Sequence, residues 1–253
     1  RQRQMCIRDR AESDFDLGMR VNLDASRLLL EACRATARCP RVIFTSSVAV
    51  FGGDLPDEVR DDTAVTPRSS YGVQKAIGEL LVADYTRRGY VDGRVLRLPT
   101  IAVRPGAPNK AASGFVSGIV REPMNGIAAV CPVAADTRIW LLSPDRAIDA
   151  LVRGAEIPAE ELGDRRTVNL PGLSTTPAEM LAALARVAGP RVAALVQVAP
   201  DPAIERIVAT WPGRWDTTRA EALGFRGDED IDAVIRAHAQ GASHAISGVR
   251  PRN

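Results

Sequence analysis

Aromatic side chains are scarce in this 253-residue chain: Phe, Trp and Tyr together make up 4% of it. The core must be filled mainly by Ala, Val and Leu, within an apolar share of 45% that is ordinary for a globular protein. Charge of one sign is also lacking. The 33 Lys and Arg against 31 Asp and Glu leave +2, too little to argue for nucleic acid or an anionic membrane as partner. No apolar run approaches the roughly 20 residues that a membrane span needs. The chain has two histidines and four cysteines (Cys6, Cys33, Cys39 and Cys131) with no C-x-x-C pair, so no metal site is expected. Free thiols in a reducing cytoplasm fit that usage. The length suits one large α/β domain, or a domain with a small lobe.

What is present is an alternation of helices and strands. The opening "RQRQMCIRDR" has no apolar period and no signal-peptide core, and is expected to be a foreign leader, residues 1–10. From Ala11, "AESDFDLGMRVNLDASRLLLEACRATARC" predicts a long helix. Ser13 and Asp16 suggest its start, and Phe15, Val21, Leu28, Leu29 and Ala32 recur at helical spacing. "RVIFTSS" carries the unbroken apolar run of a strand buried on both faces. A Gly/Pro/Asp loop follows. A helix over Tyr71–Arg88 is then predicted with Val73, Ile77, Leu80, Leu81 and Tyr85 on one face. "RVLRLPTI" predicts a second buried strand. Phe115–Asp145 reads as less regular, with strands in "IAAVCPV" and "TRIWLLS" and a helix after Asp145, its expected cap. "RTVNLPG" and "VAALVQVAP" read as strands, while "TTPAEMLAALARVAG", "TTRAEALGF" and "IDAVIRAHAQ" read as helices. Strands alternating with helices imply a parallel α/β sheet, whose ligands bind at the carboxyl ends of the strands.

"SSYGVQKAIGELL" gives that rim its chemistry. Tyr71 and Lys75 stand four residues apart and share a helix face. Ser46 and Ser47 end the preceding strand on the same rim. Alone, a Y-x-x-x-K pair is more often a surface feature than a site. With a strand-end serine upstream and "LRLPTI" downstream, it points to proton transfer. An ammonium beside a phenol favours the phenolate, which can take a proton from a substrate hydroxyl. Removing that proton is useful when hydride leaves the same carbon, which calls for a nicotinamide cofactor.

These residues resemble the extended short-chain dehydrogenase/reductase family, the group of NAD-dependent epimerases and dehydratases. "SSVAVFG" and "YGVQK" match its Ser and Tyr/Lys motifs, and "VNLDASRLLLEACR" matches its asparagine-bearing helix. The resemblance implies a Rossmann-like, doubly wound parallel sheet with a small C-terminal substrate-binding lobe. It implies Tyr71 as base, Lys75 as its tuner and ribose anchor, Ser47 orienting the substrate, and Asn22 bending its helix and holding a relay water. Ser46, Pro99, Thr100 and Ile101 become cofactor contacts, and NAD the cofactor. The family's G-x-x-G-x-x-G fingerprint is absent. The first βαβ units are therefore expected to lie upstream of Ala11, leaving residues 11–110 as the rest of the dinucleotide-binding domain. Residues 111–253 would form the lobe, with one strand returning to the sheet near 166–172. Relatives often form homodimers through the two long helices, and the same is expected here.

The stretch "GRVLRLPTIAVRPGAPNKAASGFVSGIVREPMNG" is most similar to a branch that oxidises four-carbon sugar acids such as D-erythronate at the carbon next to the carboxylate. Where nucleotide-sugar epimerases carry "R-D-Y-I-H-V-x-D", this chain has "RIWLLSPD". A carboxylate calls for an arginine clamp. Arg138 is the first candidate, then Arg104 and Lys110. A nucleotide-sugar epimerase or dehydratase, an inactive fragment, and a non-catalytic cofactor-sensing protein are the alternatives. His238, His244, Trp140, Trp211, Trp215 and Cys131 read as packing residues.

Overall fold

The computed structural model describes residues 11, 12, 14–106 and 113–247. The expected leader, Ser13 and Lys110 lie outside the described residues. In chain order the elements are α1 (Phe15–Gly18), a π-helical stretch (Met19–Asp24), α2 (Ala25–Ala35), β1 (Arg41–Ser47), α3 (Ser70–Arg87), β2 (Asp92–Leu98), β3 (Thr100–Ile101) and α4 (Gly114–Met124). They continue as β4 (Ala129–Cys131), β5 (Ile139–Leu142), α5 (Pro144–Glu156), α6 (Ala159–Leu162), β6 (Thr167–Asn169), β7 (Leu173–Thr175) and α7 (Pro177–Ala188). The last are α8 (Pro190–Ala193), β8 (Val196–Val198), α9 (Pro202–Val208), α10 (Thr218–Ala222) and α11 (Ile231–Ser247).

β1, β2 and β6 form a parallel sheet with β2 in the centre. Successive residues of β2 point to opposite faces. Val95 packs with Leu30 and Val82 under α2 and α3, while its neighbour Leu96 packs with Ala147, Ala150 and Phe225 under α5 and α10. Helices therefore cover both faces, the Rossmann-like arrangement. β3 and β5 run parallel and β7 joins β5 antiparallel. A separate core of Val116, Ile119, Val120, Met180, Leu184 and Ile235 sits among α4, α7 and α11. No helix among the described residues is long and apolar enough to cross a membrane.

Several local expectations need correcting. Asp14 caps α1, its carboxylate accepting from Leu17 N. Ser143 rather than Asp145 caps α5 by accepting from Arg146 N, and Asp145 sits in the first turn. Residues 114–124 are a helix despite Gly118 and Pro123; Pro123 falls in its last turn, where it forfeits one bond to the Ile119 carbonyl. "VAALVQVAP" splits into α8, which Pro190 starts, and the short strand β8. The apolar face of the long helices turns outward. Val73 and Leu80 of α3 are 42% and 69% exposed, and Phe15, Leu28 and Leu29 of the first helical rod are also exposed. The buried residues of α3 are Gly72, Gln74, Ala76, Gly78, Glu79 and Val82.

Candidate active site

The carboxyl ends of β1 and β2 open into a cavity of about 290 Å³. Asn22, Ser46, Ser47, Tyr71, Lys75, Pro99, Thr100, Ile101 and Arg104 all line it. Each arrives there for a local reason. Ser69 caps α3 by accepting from Gly72 N at 3.1 Å, which sets Tyr71 in the first turn. A Cβ on Gly72 would lie 2.1 Å from the Ala49 carbonyl oxygen, so only glycine lets α3 start against the turn that follows Ser47. That approach brings phenol and serine to one cavity. Ser47 ends β1 in extended conformation, and its Oγ accepts from Ala49 N at 3.2 Å.

Lys75 lies one turn along α3. Its Nζ donates to the Thr45 carbonyl at 2.8 Å and stands 4.7 Å from the centroid of the Phe44 ring and 5.7 Å from that of Tyr71. Burial pushes the Lys75 ammonium below its ordinary range, and the charge of Glu79 opposes that shift. Asn22 sits in the π-helical stretch, buried, and its Nδ2 donates to Gln74 Oε1 at 2.7 Å. A π-bulge widens one turn of a helix and is frequent at functional sites. Here it carries the asparagine to the cavity wall.

Beneath the cavity lies a polar layer that sequence reasoning missed. Arg97 Nε and Nη2 donate to Glu79 Oε1 and Oε2 at 2.9 and 2.6 Å. Ser46 Oγ donates to the same carboxylate, and Arg97 Nη1 reaches Asn169 Oδ1 at 3.3 Å. Ser46 therefore lines the cavity while its hydroxyl points into this layer. The available signal was the position of Glu79, one further turn along α3 from Lys75.

The two arginines proposed as a clamp part company. Arg104 lines the cavity, its backbone fixed by Ser117 Oγ at Arg104 N and by Arg121 at Arg104 O. Arg138 is exposed at the start of β5, packed against Gly213, and does not line the cavity. Trp140 and Trp215 stack on each other in the core, 5.8 Å between ring centroids, and Trp211 packs against the second core.

A family model described as the NAD dependent epimerase/dehydratase family matches residues 4–136. The chain belongs to that family. It is 63% identical over 239 residues to a D-erythronate dehydrogenase of Cupriavidus necator, covering 94% of this chain and 74% of that protein. It is 48% identical to the Haemophilus influenzae enzyme of the same name, covering 91% of this chain and 73% of that one. Among solved structures, that of a nucleoside-diphosphate-sugar epimerase from Agrobacterium tumefaciens superposes with a TM-score of 0.90 at 44% identity, over 97% of this chain and 72% of that chain.

The cavity fits the nicotinamide end of the family's cofactor. Lys75 spends one N–H on Thr45 O and has two more for ribose hydroxyls. The strand end Leu98–Ile101 offers backbone at the same wall. The sequence has no G-x-x-G-x-x-G turn for the pyrophosphate.

Proposed function

We propose that this protein oxidises D-erythronate with NAD at the carbon next to the carboxylate. The observation that carries the reading is the sharing of one cavity by Ser47, Tyr71, Lys75 and the cation Arg104. The identity to D-erythronate dehydrogenases supports it. The bound nicotinamide supplies the hydride acceptor. Tyr71 takes the hydroxyl proton as the C–H hydride departs, leaving a 2-keto acid. The Lys75 ammonium stabilises the phenolate and, with the cofactor bound, would anchor its ribose, while Pro99, Thr100 and Ile101 would hold the nicotinamide. Ser47 holds the substrate oxygen in line, and Asn22 supports the proton path. Arg104 pairs with the carboxylate.

Two full-length assays test the reading. NADH should accumulate from D-erythronate and NAD. The rival reading, favoured by the likeness to the Agrobacterium epimerase, is a nucleotide-sugar epimerase. It predicts interconversion of a UDP-sugar with no net NADH, and that result would replace ours.

The exposed Leu28, Leu29, Val73 and Leu80 on the two long helices form an apolar surface that we assign to a homodimer. Cys33, Cys39 and Cys131 stand as free thiols, in keeping with a cytoplasmic enzyme.

A further inference from the structure

The proposed chemistry needs a positive charge on Lys75, yet the fold half-buries that lysine. Desolvation favours the neutral amine, and this is the largest influence on it. A compensating charge must come from the surroundings. On its own helix Lys75 has Tyr71 before it and Glu79 after it. From β1 come the Thr45 carbonyl, the Phe44 ring and the uncharged Ser46 and Ser47. Asn22 faces the cavity from the first helical rod without charge, Arg97 stands below on β2, and Arg104 lines the same cavity from the loop after β3. Glu79 is thus the one anion in this set.

Its carboxylate is not free to swing away. Arg97 grips both of its oxygens and Ser46 donates to one of them. Glu79 and Arg97 are 6% and 7% exposed, and the Arg97 guanidinium stacks over Phe51 at 4.9 Å. Charges act strongly in such a dry layer, because little water screens them.

We propose that Glu79 is a positioning residue for proton transfer: locked by Arg97 and Ser46, it supplies the fixed negative field that keeps the Lys75 ammonium charged. The inference rests on the reading of Lys75 given above. Arg97 acts in two senses, holding Glu79 in place and partly cancelling its field. The two members of the pair therefore push the lysine in opposite directions.

Lysine NMR of the full-length protein tests this without relying on turnover. Residues 1–253 contain just two lysines, Lys75 and Lys110, so ¹³C-lysine labelling with Lys110→Arg assigns the Lys75 signal within them. In Glu79→Gln the Lys75 titration midpoint should fall by about one pH unit, tenfold in the protonation equilibrium. In Arg97→Gln it should rise. A structural pair with no electrostatic role would move both midpoints the same way or neither, and that result overturns the proposal. Should Glu79→Gln fail to fold around the unpaired arginine, Glu79→Gln/Arg97→Gln replaces it, since two amides can pair. The Arg97→Gln midpoint must then lie above that of the double variant, and equal midpoints overturn the proposal. Absence of D-erythronate oxidation in the wild type would remove the proposed substrate and leave the lysine titration to stand or fall on its own.

Discussion

The inward side of α3 is poor in apolar volume and the outward side is rich in it. Inward lie Gly72, Ala76, Gly78, Val82 and the polar Gln74 and Glu79, whereas Val73 and Leu80 look outward. The first helical rod repeats the pattern, with Gly18, Asn22 and Leu30 inside and Phe15, Leu28 and Leu29 outside. The difference follows from what each side must do. The inward side has to let backbones approach closely and has to seat charge and amide groups behind the cavity. The outward side has only to present apolar area, which suits a second copy of the chain. Leu30 and Val82 still face the core, but Phe15, Leu28, Leu29, Val73 and Leu80 lie on the side facing away from it.

The harshest way to break that contrast is Gly72→Ala. The added Cβ would sit 2.1 Å from the Ala49 oxygen and lever Tyr71 away from Ser47. Denaturant melts should show a loss of about 1–3 kcal/mol, the usual range for overpacking, and turnover should collapse. Normal turnover in that variant would mean that the close approach is not needed.

Lys75→Met probes the charge on the inward side. Because burial depresses the Lys75 ionisation in the folded state, the unfolded chain binds its proton more readily. Holding that charge therefore costs stability below the depressed value, and the cost vanishes as pH rises towards the ordinary lysine value of 10.5. The methionine variant should match or exceed wild-type stability at neutral pH while losing turnover. Its advantage should close as the solution becomes alkaline. An advantage that widened with pH would contradict the burial argument.

The mildest change is expected on the outward side. Leu28→Lys/Leu80→Lys should alter the stability of the monomer by no more than about 0.5 kcal/mol, as is usual at exposed positions. Light scattering should show that it abolishes self-association. A wild type that is already monomeric would remove the dimer from the account.

Much of the sheet and of the rim could be read in advance. β1 announces itself by the unbroken run Val42–Phe44 and β2 by Val95, Leu96 and Leu98 between loop signals, and the Tyr71/Lys75 spacing survives in any helix that begins near Ser70. The faces of the two long helices could not be read, because a periodic apolar stripe does not say whether it meets the chain's own core or another surface. β7 escaped because its Leu-Ser-Thr is neither apolar nor alternating, and it is held by pairing with β5. The sequence puts Arg138 ahead of Arg104, because Arg138 matches the arginine of the family's motif. Only the path of the chain after β3 brings one of them to the cavity. Glu79 is not singled out in the sequence, because its partner Arg97 lies 18 residues on and meets it only in the fold.

The central claim is that the Tyr71 hydroxyl moves the proton. The direct measurement is the rate of NADH formation by full-length Tyr71→Phe at saturating NAD and D-erythronate, with folding checked by circular dichroism. The account predicts a well-folded variant slowed by about 10²–10⁴-fold, the range for loss of a general base. A folded variant that keeps a rate close to wild type would contradict it.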